Sequence, residues 1–454
     1  MDIFGANQHD LFAPTEIPAL AQCIKAAEGT VLVLKPWHKP IAFTRIWCLY
    51  EVLGTIEEKH ELSVGIPGSE LADFHARIVA DFHGIRNSIM EIDSESAEAT
   101  NPDDLRTIRA QIASTVGFRG LNTVVKDKIR SWLIEAGTAR LAGLLGIDVD
   151  ALGPDLLESV DFGGKAEAEI DEAIEFAFQL GGLLGDNGKL ETAANLYRFA
   201  LKHRQQKLGT EHPDCWQMVR ALSFLLSKTG DFAEAEDILR KAIPGLERFL
   251  SGQGKRAATQ EHDTHLTMLL DMKQQLAMVL GAVALRHGPD EEALAAETIA
   301  LYEEVLAKRR EQADGTENKM TISTMNNMAY FLGRRDDPRA LGLFEQVVKG
   351  RTRLMGPKDI GTLNARQNLA QEQIKRGQID LATSALKEVC EGKIENIGLS
   401  NPSTLRSIAV LLDCLVTGGD IKAAHTWLRR IERLSISRYP AQLVAAIEKI
   451  EAAK

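Results

Sequence analysis

Two groups of side chains in this sequence are of types that could do nucleophilic or metal chemistry. A thiol–imidazole pair would need Cys48 beside His38 or His9, but the spacing is not typical of a cysteine nucleophile. A cysteine between tryptophan and leucine is typical of core packing instead. His262 and His265 form a His-x-x-His fragment, but a third ligand at a set spacing is missing. The sequence therefore predicts neither a thiol dyad nor a metal site.

The overall charge excludes a broad class of partners. The 454 residues include 53 Lys and Arg against 64 Asp and Glu, which gives a net charge of −11. An acidic chain lacks the positive field that non-specific nucleic-acid binding needs. The glycines do not stand in a G-x-G-x-x-G or G-K-[ST] context, so no phosphate-binding loop is expected. We expect no nucleic-acid partner.

Cysteine usage and hydropathy predict the compartment. The chain has five cysteines at wide spacings and no Cys-x-x-Cys, which is typical of a reducing environment. No apolar run reaches the length of about 18 residues that a membrane span requires. The first residues show no basic segment followed by an apolar stretch, so we expect no secretory signal. These features predict a cytoplasmic protein that is not bound to a membrane.

The N-terminal part of the sequence alternates between strand and helix patterns. Residues 30–35 contain four consecutive apolar residues, as in a strand buried on both faces of a parallel sheet. Residues 62–67 (LSVGIP) are predicted to form another strand. Helical periodicity lies before, between and after these strands. Residues 104–115 and 120–145 are predicted to be helices. This order predicts an α/β module over residues 1–140, followed by a glycine-containing linker over residues 141–166.

The rest of the sequence repeats one helix–turn–helix pattern. A glycine is followed five residues later by an alanine at Gly188, Gly230, Gly377 and Gly419. The interval is 42 residues between the first two glycines, and it is again 42 residues between the last two. A middle unit keeps the alanine, Ala340, but its glycine, Gly333, comes two places early. A fixed period built from two helices predicts an α-solenoid. We count six units, with a last helix from residue 440 that caps the open end.

These units resemble tetratricopeptide repeats (TPRs), specifically the long variety of kinesin light chains. The resemblance is carried by LYRFALKHRQQKLGTEHPDCWQMVRALSFLLSKTGDFAEAEDILRKAI (196–243), TMNNMAYFL (324–332) and ARQNLAQEQIKRG (365–377). It implies a superhelix whose concave face binds a protein or peptide partner.

In that family, a polar residue of the first helix lines the concave face. The equivalent residues here are Gln179, Gln275, Asn327 and Asn368, and Ala221 and Val410 interrupt the series. An Asn or Gln amide offers both a donor and an acceptor, which suits a peptide main chain. We predict that Gln275, Asn327 and Asn368 form one row that binds a peptide. The alternative is that they are polar residues on a solvated helix face.

The string VLVLKPWHKPIAFTRIWCLYEV (31–52) resembles part of a TIR domain. The resemblance covers about residues 1–135 and implies a partial, flavodoxin-like parallel sheet that begins at the family's second strand. It implies a catalytic role for Glu51 in cleaving NAD, and it makes Trp47 a candidate NAD contact. A carboxylate would stabilise the oxocarbenium-like transition state of that cleavage. The alternative is that Trp47 and Leu49 are core residues and that Glu51 is a surface carboxylate near Arg45 or Lys35.

Together these patterns predict a two-part protein. A partial TIR-like α/β domain (1–140) and a linker (141–166) precede a six-unit TPR superhelix (167–454). The predicted function is a protein–protein interaction scaffold that needs no cofactor. The alternative is a TIR-like NAD hydrolase or signalling effector regulated by the repeats, in which NAD is the substrate.

Overall fold

The structure is a computed structural model that divides into two compact units, Met1–Leu225 and Leu226–Lys454. It describes residues 16–38, 40–80, 84, 93–147, 157, 160, 162–252, 260–286, 291–313, 317–431 and 440–452. His9 lies outside these residues.

The first unit begins with alternating helices and strands and continues with helices. Its elements are α1 (Glu16–Ala26), β1 (Gly29–Val33), α2 (Ile46–Glu57), β2 (Glu61–Gly65), α3 (Gly68–Ala80), α4 (Pro102–Ser114), α5 (Gly117–Leu145), α6 (Glu167–Asp186), α7 (Leu190–Leu208) and α8 (Pro213–Thr229), the last of which ends in the second unit. Short 3₁₀ turns lie at Ile41–Thr44 and Ser94–Ser96.

The two strands pair in parallel, with Leu32 opposite Val64. Leu32 and Leu62 are buried, and Thr30 of β1 is hydrogen-bonded to Thr55 of α2, with 2.6 Å between the hydroxyl oxygens. Side chains alternate along a strand, so Val31 points to the opposite face. Val31 is 59% exposed, and the expectation of a strand buried on both faces was therefore wrong. The described part holds a two-stranded sheet, which is smaller than the flavodoxin-like sheet that the sequence predicted.

Long helices lead from the sheet to the first TPR-like pair. In α5, the buried residues recur with helical spacing, at Leu121, Val125, Ile129 and Leu133. This helix contacts both β2 and α6. It runs to Leu145, so the predicted linker begins inside a helix, and Ala166 at the linker's other end caps α6.

The second unit is built from helices that pack against their neighbours in sequence, as in a TPR-like solenoid, and its described residues contain no strand. They are α9 (Phe232–Gly252), α10 (Gln260–Ala284), α11 (Glu291–Gln312), α12 (Lys319–Arg334), α13 (Arg339–Met355), α14 (Ile360–Lys375), α15 (Ile379–Ile397), α16 (Pro402–Thr417), α17 (Ile421–Ile431) and α18 (Ala441–Ala452).

The turns between paired helices explain the recurring glycine and alanine. Gly188, Gly230, Gly377 and Gly419 all have a positive φ of 74–91°, a backbone region that glycine enters without steric cost. The alanine five residues later is fully buried in each case, so a larger side chain would separate the helices. In the middle unit, Asp336 has the positive φ of 56° instead. Aspartate is one of the few other residues that tolerate this conformation.

Apolar side chains of the last four helices form one core. Leu386 of α15, Leu411 and Leu412 of α16, Leu428 of α17 and Ile450 of α18 belong to the same buried cluster. The final helix is therefore fixed against α16 by its own apolar face, and the space between them is set by small residues.

Candidate functional site

A cavity of about 730 Å³ opens between α14, α16 and α18 in the second unit. One face of α14 lines it with four amide side chains, Asn364, Gln367, Asn368 and Gln371. They stand at i, i+3, i+4 and i+7, the spacing that places residues on one helix face. We call this space the amide cavity.

The opposite walls of the amide cavity combine small and charged residues. Ala409 of α16 and Ala446 of α18 are buried and leave the space open because they carry no more than a methyl group. Arg406 and Asp413 of α16 and Lys449 of α18 also line it. Lys449 forms an ion pair with Asp413, so these two charges compensate each other.

Lys393 of α15 is the most buried charged group of the amide cavity, with 1% of its surface exposed. Its ammonium donates to Ser407 Oγ at 2.7 Å, to Gln367 Oε1 at 3.2 Å and to Ser403 Oγ at 3.3 Å. The pKa of Lys393 is lowered to about 8, mainly by burial and in smaller part by the nearby Arg406 guanidinium. The cavity thus contains a buried amine whose described partners are all neutral.

The three residues of the predicted amide row have different surroundings. Asn368 lines the amide cavity, and its Nδ2 donates to Oδ1 of Asn326 at 3.4 Å. Asn327 instead directs its Nδ2 at Sδ of Met278, 3.6 Å away. Gln275 is half-buried in α10. The binding role of the three residues stays a prediction, and Asn368 is the one that lines the cavity.

In the first unit, Gln179 makes a local contact. Its Nε2 donates to Oε1 of Glu175, one helical turn earlier, at 3.0 Å. Part of its hydrogen-bonding capacity is therefore used within α6.

The TIR-derived candidates lie in α2. Trp47 is 6% exposed and packs edge-on against Tyr50, and Leu49 is 1% exposed, as expected for core residues. Glu51 is half-buried, and its carbonyl accepts a hydrogen bond from Thr55 at 2.7 Å. Glu51 is the sixth of the twelve residues of α2 and so lies in the middle of the helix. Thr55, one turn later, contacts Thr30 at the start of β1. Ligands of open α/β sheets bind beyond the carboxyl ends of the strands.

The other chemical candidates have packing roles. His265 is buried in α10 with its ring edge-on to Phe249, at 5.1 Å between ring centroids. His38 stacks edge-on with Trp37. Within the described residues, no group of three His, Cys, Asp or Glu could hold a metal ion. No helix among them is long and apolar enough to cross a membrane.

Sequence reasoning missed Lys393, although the sequence contains a signal for it. The apolar stripe of α15 runs through Leu386, Val389 and Cys390, and the next position of that stripe is Lys393. When a lysine stands where the helical periodicity of the sequence predicts an apolar residue, the pattern predicts that the lysine is buried.

Comparison with known proteins agrees with the repeat pattern. Models of the tetratricopeptide repeat match residues 172–248 and 321–360. These two segments are tetratricopeptide repeats. Neither match reaches the residues before 172, so the TIR resemblance stays a prediction. A search of curated proteins gave no match.

Several solved structures are similar in part. A putative kinesin light chain of Podosopora anserina with nearly identical TPR-like repeats is 20% identical, with 49% of this chain and 95% of that chain covered and a TM-score of 0.37. BtubC of P. vanneervenii is 18% identical, with 57% of this chain and 92% of that chain covered and a TM-score of 0.42. Human IFIT1, solved as a dimer with PPP-AAAA, is 12% identical, with 94% of this chain and 96% of that chain covered and a TM-score of 0.31. Since these TM-scores lie below 0.5, we derive the function from the side chains of this chain.

Proposed function

We propose that this protein is an interaction scaffold whose TPR-like helices bind a segment of a partner protein on their concave face. The amide cavity is the binding site. The observation that carries the proposal is the set of four amides that α14 directs into one open cavity, with Asn368 among them.

The chemistry of the amide cavity suits an extended main chain. A peptide backbone presents alternating N–H and C=O groups, and each Asn or Gln side chain can pair with both. The volume of about 730 Å³ lies in the range of ligand sites in proteins, and it accommodates a few residues of a partner. The small side chains of Ala409 and Ala446 support the proposal because they leave room for a chain between the helices.

The proposal is tested with peptides selected by display against the full chain. We expect Asn368→Ala to weaken binding of the selected peptides about tenfold, since a lost amide leaves main-chain groups of the peptide without a partner. Isothermal titration calorimetry measures this change. Ser384→Ala, an exposed substitution on α15, is the matched control and should bind like the wild type. Equal affinity of all three proteins would exclude the amide cavity as the binding site.

A further inference from the structure

Cations recur at one position of the second helix in several repeats, and two of them, Arg309 and Lys393, are buried. These cations are Arg204, Arg309 and Lys393. Each lies eleven residues after the small residue at which the second helix packs on the first, which is Ala193, Thr298 and Ala382 respectively. The facing first helix has a polar residue four positions before the predicted amide of that repeat, at Glu175, Asp271 and Asn364. The repeats therefore allow an internal comparison of the same site.

In two other repeats, this cation has a carboxylate partner. Arg309 is 3% exposed, and its Nη2 donates to Oδ1 of Asp271 at 2.6 Å. Its Nη1 contacts Gln274 and Thr324, which correspond to Gln367 and Ser407. In the first unit, Arg204 donates in the same way to Oε2 of Glu175 at 3.3 Å. Burying a charge without a counter-ion is costly, and these carboxylates supply one.

Lys393 keeps the neutral partners of this arrangement but lacks the acid. The position of Asp271 is occupied by Asn364, and no carboxylate among the described residues lies within ion-pair distance of Lys393. Arg351 is the equivalent cation of the intervening repeat, where Ser323 stands at the position of Asp271. Arg351 is half-buried, so solvent screens its charge more than that of Lys393. Lys393 is thus a nearly fully buried cation that opens onto a cavity at the point where Arg204 and Arg309 meet a carboxylate.

We propose that Lys393 is the specificity-determining residue of the amide cavity, and that its ammonium binds a carboxylate of the partner in the place that Asp271 occupies beside Arg309. This inference rests on the proposed function and names the chemical group that the partner supplies.

The surrounding charges favour an anion at this point. On α14, Lys375 is paired with Glu372 at 3.5 Å, and on α18, Lys449 is paired with Asp413 of α16. Arg406 of α16 adds a second cation that lines the cavity without a described carboxylate partner. Cys390, on the same helix as Lys393, stays a neutral thiol because burial raises its pKa to about 12. Lys393 and Arg406 together leave the cavity with uncompensated positive charge, in contrast to the chain's net charge of −11.

The test compares two blocked peptides, acetyl-Gly-Glu-Gly-Glu-amide and its Gln counterpart, with the full-length protein. NMR of isotope-labelled lysine and side-chain amides reports binding and the protonation of Lys393. We expect the Glu peptide to bind the wild type about tenfold tighter than the Gln peptide, as for a charge-assisted hydrogen bond. Its binding should also raise the pKa of Lys393, because a neighbouring carboxylate favours the charged amine.

Two variants separate a binding role from a structural one. Lys393→Met removes the charge at similar size, and Asn364→Asp adds an internal carboxylate at the position of Asp271. Both should abolish the preference for the Glu peptide, and Asn364→Asp should raise the pKa of Lys393 without any peptide. Lys387→Met, on the exposed side of α15, should keep the preference.

The inference is overturned if the Gln peptide binds the wild type as tightly as the Glu peptide. It is also overturned if both variants retain the preference. Binding of both peptides, with shifted amide signals of Asn368 and Gln371 but no effect of charge, would reject the carboxylate and retain the proposed function. If neither peptide shifts these signals, the carboxylate subsite is rejected, and the display-selected peptides decide the proposed function independently.

Discussion

At the scale of single residues, two buried lysines of the second unit have opposite surroundings. Lys273 of α10 is 8% exposed, and its Nζ lies 2.5 Å from Oε1 of Glu247 and 2.6 Å from Oε1 of Glu304. Burial alone lowers the pKa of Lys273, but its hydrogen bonds to the two carboxylates raise it overall. Lys393 is more deeply buried and has neutral partners. The first lysine therefore has two internal counter-ions, whereas the second has hydrogen-bond partners that are neutral.

We expect Lys273→Met to destabilise the protein by about 1–2 kcal/mol, since it leaves two carboxylates close together and both are partly screened by solvent. Urea denaturation at low ionic strength measures the loss. The loss should shrink in 1 M salt, where the Debye length falls to about 3 Å. A variant as stable as the wild type at low salt would show that the three charges do not contribute as a unit.

Lys393→Met should have the opposite effect, and the effect should depend on pH. The pKa of Lys393 is about 8 in the folded protein and about 10.5 when the chain is unfolded. Below pH 8, both states hold the proton and the wild type bears the full cost of a buried charge. Between pH 8 and 10.5, the unfolded state holds more protons, so the wild type gains stability as pH rises.

The free energy of unfolding of Lys393→Met should therefore exceed that of the wild type by the largest amount near pH 7. It should change by about 2–4 kcal/mol in favour of the wild type by pH 10.5. Urea denaturation of both proteins across this range gives the difference, and Lys387→Met serves as the flat control. A difference that does not vary with pH would mean that Lys393 titrates normally.

The role of Lys393 shows what a single sequence withholds at this scale. Helical periodicity places it on the buried stripe of α15, after Leu386, Val389 and Cys390. Lys393 lacks a counter-ion because Asn364, in another helix of the same repeat, stands where Asp271 pairs with Arg309. This equivalence becomes clear only when the repeats are aligned with one another. The repeat motif was enough to identify Asn368 as a candidate, and this residue lines the cavity. Trp47 was a candidate NAD contact or a core residue, and its burial agrees with the core position.

At the scale of elements, the turns between paired helices were predictable because one residue type satisfies the backbone. The glycines at 188, 230, 377 and 419 were identified from their spacing to a buried alanine, and they have positive φ. The turn at Asp336 was less clear, since aspartate is also common where φ is negative. The small N-terminal sheet was harder still, because its pairing depends on contacts that a run of apolar residues does not encode.

We expect Gly377→Ala to destabilise the protein by about 1 kcal/mol, because alanine in a left-handed conformation is strained. No heavy atom lies near the added methyl group, so the cost is that of the backbone alone. Gly342→Ala, in the first turn of α13 with equally open surroundings, should instead stabilise by about 0.5–1 kcal/mol. Urea denaturation compares the two, and equal shifts would contradict the proposed reason for the glycine at the turn.

At the scale of the whole molecule, the TIR-derived alternative predicts an enzyme. Trp47, its candidate NAD contact, has 6% of its surface exposed, and Glu51 lies near the middle of α2. A buried ring offers little surface to a dinucleotide, so we expect nicotinamide release from NAD by the purified chain to equal that of buffer. Chromatography of the reaction measures the release. Release that is abolished by Glu51→Ala would establish the enzyme instead.

The central claim is that the amide cavity of the second unit contacts a protein partner. Site-specific photo-crosslinking tests it most directly, with benzoylphenylalanine at Gln371 on the cavity rim or at Ser384 on the exposed side of α15. In extracts of the source organism, the probe at residue 371 should crosslink a defined partner peptide, identified by mass spectrometry, and Lys393→Met should reduce the yield. The probe at residue 384 should not crosslink that peptide. Equal labelling from both positions, or none from residue 371, would contradict the claim.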